Sequence, residues 1–329
     1  MVCVVTLTGS PWEGGADVWT TVYGLQNRHS DLSVGTAIVA VRWSRAAPRL
    51  ALVPALLATL VVFVGGISWT IDLSFTGSRR FPSYEFIGLK QYTRLFSDDL
   101  WNQALQNMVV LGVGSLLSIV IGFLLAALIE KEVRGEGIFR TIFLYPLSVS
   151  LIVTGVVWKW LFNPSIGVEN LFHSFGWNWV HFNWLASSQT VMYGITLGSV
   201  WQSTGFYMAL MLAGLKGINT EIWQAARLDG APFWRVYIQV IIPMMKLTFL
   251  TSVLLLSIGV VKAYDIIVAM TAGGPAGSST VPAYFTIQAY WIKNNLAYAS
   301  AAATIMLLIT FCLFLPFVFV PAFRRRNVQ

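Results

Sequence analysis

Met108 to Ile129 runs without a single charged residue. About 20 apolar residues in a helix cross the hydrocarbon core of a bilayer, so this stretch is a transmembrane candidate. Leu50–Ile71, Thr141–Leu161, Thr190–Leu215, Met244–Thr271 and Ala301–Pro321 are further long, predominantly apolar runs. A chain that repeats such runs has few structural options. Lipid offers no partner to a backbone N–H or C=O, so each run must satisfy its own backbone as a helix. The expected fold is therefore all-α: a polytopic membrane protein with six transmembrane helices at about 50–71, 108–129, 141–161, 190–215, 244–271 and 301–321. Pro146 lies inside the third run and predicts a kink there.

Only 11% of the residues are charged, against about 25% in a soluble domain. Trp158 and Trp160 close the third run, and Trp177, Trp179 and Trp184 follow in the next connection. Aromatic rings of this kind collect at the lipid–water interface. The net charge of +7 does not point to nucleic acid, because the basic residues flank the apolar runs and form no stripe with stacking aromatics. They are unevenly divided. Arg28, Arg42, Arg45, Arg49, Lys131, Arg134, Arg140, Lys216, Arg227, Arg235, Lys246 and Arg324–Arg326 fall on one side, and Arg79, Arg80, Lys90, Arg94 and Lys293 on the other. The richer side is expected to be cytoplasmic, which places both termini and the connection between the fourth and fifth runs inside. Residues 1–48 mix Gly, Ser, Thr and Asp with short apolar pieces and read as a loose cytoplasmic N-terminal tail, or as an over-long translation start. They lack the basic start of a signal peptide. Residues 49–326 form the transmembrane domain.

Several chemistries are not expected. Cys3 and Cys312 are far apart and give no disulfide framework. His173 and His181 share a connection, but no third ligand makes a metal site there, so no metal site is expected. There is no G-x-x-x-x-G-K-[ST] phosphate loop, no G-x-S-x-G elbow and no H-E-x-x-H helix. The chain is not expected to be an enzyme, and no catalytic residue is assigned.

Between the fourth and fifth runs lies a polar, helix-competent segment, 219–243. Thr220 and Glu221 suit a helix start. Asp229-Gly230 marks a turn, and Pro232 suits the beginning of a second helix. Phe233, Val236, Tyr237, Val240 and Ile241 then share one helical face. The segment reads as a helix–turn–helix.

Gln224-Ala225-Ala226, then Gly230, then Val240-x-Ile242-Pro243 resembles the Glu-Ala-Ala loop of binding-protein-dependent ABC importer permeases. The spacing fits throughout, while Gln224 stands for the usual Glu and Val240 and Ile242 are conservative departures. Phe86-Ile87-Gly88-Leu89-Lys90-Gln91-Tyr92 is similar to an F-x-G-L-x-N-Y stretch of sugar permeases, with Gln91 for Asn. The resemblance covers about Leu50 to Arg326 and points to the maltose-type, carbohydrate-uptake class. It implies an inner-membrane subunit that forms the translocation path with a second, different permease. Two separate ATPase subunits would bind ATP and Mg, this chain would bind no cofactor, and an extracytoplasmic solute-binding protein would deliver the sugar. Gln224, Ala225, Ala226, Asp229 and Gly230 would contact the ATPase. Thr271 to Ala283 looks like permeases for glucose-like sugars or glucosides.

The substrate path is sought in two places. Ser199, Gln202, Ser203 and Phe206 match positions that line the sugar site in a maltose-type permease. Hydroxyl and amide groups beside an aromatic ring suit a sugar, although small and hydroxyl residues also pack helices together. Lys262 and Asp265 are three residues apart, on one face of a continuous fifth helix, where they either pair with each other or meet substrate. Two rival readings are a secondary transporter, for which Asp265 is the only well-placed acid, and a non-transporting membrane scaffold.

Overall fold

The computed structural model describes residues 52–130, 136–179, 181 and 183–325. The tail expected at 1–48 lies outside the described residues. The described residues fall into two units, divided between Gly66 and Ile67. In the first, residues 52–66 are helical with every side chain exposed. This helix, α1 (Leu52–Ser74), passes the unit boundary and takes π-helical form at Leu60–Gly65.

The second unit continues with α2 (Lys90–Phe96), α3 (Asp99–Ile129), α4 (Glu136–Ser148), α5 (Leu151–Leu161), α6 (Val168–Ser174) and α7 (Val191–Lys216). Then come α8 (Thr220–Leu228), α9 (Phe233–Met244), α10 (Lys246–Val261), α11 (Asp265–Met270), α12 (Pro282–Trp291) and α13 (Leu296–Arg325). Among the described residues there is no β-strand, only an isolated bridge between Thr76 and Phe86.

The expected second span is the core of a longer helix. With 31 residues, α3 is about 46 Å long at 1.5 Å per residue, more than the ~30 Å hydrocarbon core requires. The extra turns begin at Asp98, whose carboxylate accepts from the Leu100 backbone N–H at 3.0 Å and so caps the helix. Tyr298 of α13 donates its hydroxyl to the same carboxylate at 2.8 Å, and the Lys293 ammonium lies 3.6 Å away. Burial pushes the Asp98 carboxyl up, but the Tyr298 hydrogen bond, the Lys293 charge and the backbone N–H groups of Leu100 and Trp101 outweigh it and hold the carboxyl below its ordinary range.

Helices α3 and α7 form the spine of the bundle. Their backbones meet at Gly122, where an added Cβ would lie 2.7 Å from the Met208 N and 2.9 Å from the Tyr207 carbonyl carbon. In lipid, close packing of this kind drives helices together because the apolar effect between them is absent. One buried cluster joins the C-terminal halves of α3 and α7 to α9 through Phe123, Met208, Met211, Leu215, Tyr237 and Ile241. A second joins their N-terminal halves to α11 through Leu111, Ile195, Ile266, Ile267 and Met270. A third, around Trp101, Phe285 and Tyr298, ties α12 and α13 to the start of α3.

Two expected spans are not continuous. The third divides into α4 and α5, which meet at 100°. Its break is not at Pro146, which sits inside α4, but at Val149-Ser150, where the Ser150 hydroxyl accepts from the Val153 N–H and caps a new helix. The fifth ends at Val261 and resumes at Asp265. Before it, α9 and α10 are bent by 71° at Met245. Among the described residues, three helices are each long and apolar enough to cross a membrane, α1, α3 and the Leu296–Leu315 part of α13, and the number rises to five if the bent pairs α4–α5 and α9–α10 are each one span. Helix α7, with 26 residues, is about 39 Å long but carries Thr196, Ser199, Gln202, Ser203 and Thr204 along its length.

Candidate functional site

The residues expected to form the substrate path come together. A cavity of about 510 Å³ is lined by Ser199, Gln202, Ser203 and Phe206 of α7, by Leu147 and Leu151 on either side of the α4–α5 break, by Ser115 of α3, and by Lys262, Tyr264 and Asp265. Sequence spacing alone could not show that the α7 positions and the 262–265 segment share one space.

The geometry changes what each side chain offers. Lys262 and Asp265 do not stand on one face of a continuous helix, as expected, because Lys262 caps the end of α10 and Asp265 opens α11. Both are exposed, and no ion pair joins them. The break replaces the i, i+3 geometry that would have paired them, so each charge faces the cavity on its own. Gln202 is buried and donates from Nε2 to the Val149 carbonyl at 2.7 Å, which satisfies a carbonyl freed where α4 ends. Its Oε1 is buried without a hydrogen-bond partner, a costly state for an amide oxygen. Ser199 and Ser203 donate to the Ile195 and Ser199 carbonyls of their own helix at 3.0 and 2.6 Å, so toward the cavity they are acceptors. Phe206 is half-buried and meets Tyr207 edge to face, with centroids 5.3 Å apart.

The expected helix–turn–helix is present. Asn219 precedes its first turn in place of Thr220 and makes no side-chain cap. Helix α8 has no buried residue, and Glu221, Gln224, Ala225 and Leu228 form one exposed stripe, with Leu228 88% exposed. A bare leucine at this place was not singled out from sequence, although its i+4 distance from Gln224 was readable. Helix α8 ends in a Schellman motif: Gly230 N donates to Arg227 O at 3.2 Å and Ala231 N to Ala226 O at 3.3 Å. Gly230 supplies the left-handed φ of +62° that this ending needs. Ala226, expected as a contact residue, is instead half-buried and packs with Ala231 against the first cluster. Gln224, Ala225, Asp229 and Gly230 are exposed. Behind the stripe, Trp223 and Phe233 lie on Tyr237 at 5.7 and 4.2 Å, and Tyr237 meets Phe123 of α3 at 6.0 Å. The pair is thus tied through aromatic rings to the spine. A groove of about 730 Å³ beside it is lined by Glu130, Trp223, Gln224, Arg227 and Phe233.

Apolar helices long enough to cross a membrane, two of them broken beside a largely apolar cavity that carries a few polar groups, and an exposed helical pair packed on the bundle are the features of a membrane protein. The chain belongs to the family of binding-protein-dependent transport system inner membrane components, whose sequence profile matches residues 118–326. It is 34% identical over 273 residues to a probable ABC transporter permease protein of Pyrococcus horikoshii, covering 82% of this chain and 94% of that one. It is 30% identical over 272 residues to a xylose/arabinose import permease protein of Haloferax volcanii, covering 81% and 85%. Its fold is similar to a chain of a bacterial ABC transporter involved in the import of the acidic polysaccharide alginate, with a TM-score of 0.72 and 18% identity over 88% of this chain and 99% of that one. This chain is therefore an ABC permease subunit with the importer type-1 fold, and ATP hydrolysis belongs to a separate subunit.

Proposed function

We propose that this chain forms half of the translocation path of an ATP-driven carbohydrate importer, with the cavity beside α7 as its substrate path. The observation that carries the reading is the convergence of Ser199, Gln202, Ser203 and Phe206 with Lys262 and Asp265 on one space of about 510 Å³. The acceptor oxygens of Ser199 and Ser203 and an aromatic face suit a ligand rich in hydroxyl donors. A glucose-like sugar or glucoside fits this set. The Haloferax volcanii relative is a xylose/arabinose import permease protein, which supports the sugar class.

In this reading six spans cross the membrane: α1, α3, the α4–α5 pair, α7, α10 with α11, and α13. Both termini are cytoplasmic. The second permease is a different chain, so the pair is a hetero-dimer. Two ATPase subunits carry ATP and Mg, and a solute-binding protein docks outside. The stripe of Gln224, Ala225 and Leu228, with Asp229 and Gly230 at the turn, seats on the ATPase, and the Trp223–Tyr237–Phe123 contacts pass its movement to α3. Packed elements move as units, so such a contact can rock the bundle.

The test is sugar uptake by the assembled complex in vesicles, with substrate first identified by screening its binding protein. Ser199→Ala removes an acceptor whose own proton is already spent inside α7, and Phe206→Ala removes the ring. Both are expected to lower uptake, by roughly 0.5–1.5 kcal/mol for a lost hydrogen bond to an uncharged partner, while binding-protein-stimulated ATP hydrolysis persists. Unchanged uptake kinetics in both variants would remove this cavity from the path.

A further inference from the structure

The connection between α5 and α7 holds a cluster of metal-ligating side chains that the transport reading does not use. The expectation of no metal site rested on His173 and His181 lacking a third ligand, and the structure supplies one in Glu169. Glu169 and His173 stand one helical turn apart on α6, and so on one face. After α6 the chain doubles back: Trp177 N donates to Phe172 O at 3.0 Å, and the Trp177 and Phe172 rings stack at 5.4 Å and 14°. The return brings His181 Nδ1 to 3.1 Å from Glu169 Oε1, while His173 Nε2 lies 3.9 Å from the same oxygen. The two imidazoles meet edge to face at 5.8 Å, and the three ligating atoms all lie within 4.8 Å of one another.

We propose that Glu169, His173 and His181 form a binding site for a divalent transition-metal cation, zinc foremost, that fastens the α5–α7 connection to α6. Zinc bonds of about 2.0–2.2 Å to nitrogen and oxygen in a tetrahedron put ligand atoms roughly 3.4 Å apart. One pair already stands closer than this and another within about half an ångström of it, and the remaining separation, at most 4.8 Å, needs no more than about 1.4 Å of closure. The His181 side chain is 69% exposed, so its ring can turn to supply that closure. Glu169, at 8% side-chain exposure, provides a fixed negative charge where water competes little. Two imidazoles and one carboxylate suit zinc and its borderline neighbours better than calcium or magnesium, which take oxygen ligands. Three protein ligands leave a fourth position for water.

The experiment uses the full chain, purified in detergent without a polyhistidine tag. Zinc binding is followed by calorimetry, and cobalt(II) is used as a visible-absorption probe of tetrahedral coordination. The wild type is expected to bind one zinc per chain at this site and to give tetrahedral cobalt bands that zinc abolishes. Loss of an outer-sphere partner already costs 10–100-fold in metal affinity, so His181→Ala, His173→Gln and Glu169→Gln are each expected to weaken binding at least about tenfold. His181 is exposed and Glu169→Gln keeps the side chain's shape, so both variants should elute from size exclusion as the wild type does. No stoichiometric zinc binding by the wild type overturns the proposal. Wild-type affinity in any of the three variants likewise overturns it, because the three ligands act together or the site is elsewhere.

Discussion

Gly230 offers the sharpest test of the coupling role. Its φ of +62° closes α8, and no atom lies within 4 Å of the position a Cβ would take. A replacement therefore meets no steric wall in this chain, and its cost is confined to the backbone. A left-handed conformation costs a residue with a Cβ about 1–2 kcal/mol, and a β-branched side chain stands at the upper end. Domains are stable by about 5–15 kcal/mol, so Gly230→Val should fold and accumulate in the membrane, while the native turn loses population by a factor of about 5–30 relative to its alternatives. Gly230→Asn is the informative partner, because Asn tolerates the left-handed region and adds bulk to the surface without bending the backbone. The assay is co-purification of the ATPase with each variant, alongside sugar uptake and ATP turnover. Gly230→Val is expected to lose ATPase association or to hydrolyse ATP without uptake. Loss in Asn as well would put the cause in the contact surface, and retention in Asn would put it in the turn. If Gly230→Val binds the ATPase and transports at the normal rate, this turn does not couple the two processes.

Three other outcomes follow from the packing. Gly122→Val should prevent normal accumulation of the chain, since its methyl groups would enter the α7 backbone at Tyr207 and Met208; overpacking typically costs 1–3 kcal/mol, and a wild-type level of folded protein by fluorescence-detected size exclusion would refute the close approach. Asp98→Ala should lower the thermal midpoint through loss of the α3 cap alone by about 1 kcal/mol, and by more with the Tyr298 bond lost. Because the folded carboxyl lies below its ordinary range, its stabilisation is complete above the unfolded aspartate value near pH 4 and disappears as pH falls through the depressed one, so the midpoints of variant and wild type should converge only in that acid range. Lys262→Ala and Asp265→Ala should affect uptake additively, within about 0.5 kcal/mol in a double-mutant cycle; a larger coupling would mean that the two charges meet during transport.

What was legible in the sequence follows the physics that produced it. Hydropathy is a property of residues, so the apolar runs that form α1, α3 and α13 could be read as long helices. The α8–Gly230 ending could be read because only a few residues accept a left-handed turn. Hydropathy does not register a break inside an apolar run. Val149-Ser150 lies among Leu147, Leu151 and Ile152, and nothing local shows that Gln202, 53 residues on, will satisfy the freed carbonyl. The start of α3 was missed by nine residues because its first turns are polar, although Asp98 before a helical stretch is an N-cap signal. The half-burial of Ala226 is not a local property of the motif: its carbonyl accepts from Ala231 at the end of α8, and its methyl group packs on the first cluster and borders the groove. Glu169 stands i, i+4 from His173, a spacing the sequence shows, but the approach of His181 to the same carboxylate depends on how the connection folds back.

The two breaks that escaped sequence reading border the same cavity. Leu147 and Leu151 stand beside one, and Lys262, Tyr264 and Asp265 belong to the other. Non-helical backbone at membrane depth is tolerated only where protein buries it or where it lines a space that holds water or ligand. Each break here meets that condition in its own way. The Val149 carbonyl is held by Gln202, so the first break is fixed. The second carries two unpaired charges into the cavity, so it depends on what fills that space. A continuous fifth helix would have aligned Lys262 with Asp265 and let them neutralise each other. Breaking the helix keeps them apart and leaves a cation and a carboxylate free to meet hydroxyl groups from different directions. Both irregularities thus border one cavity, while α3 and α7, locked at Gly122, remain continuous helices beside it.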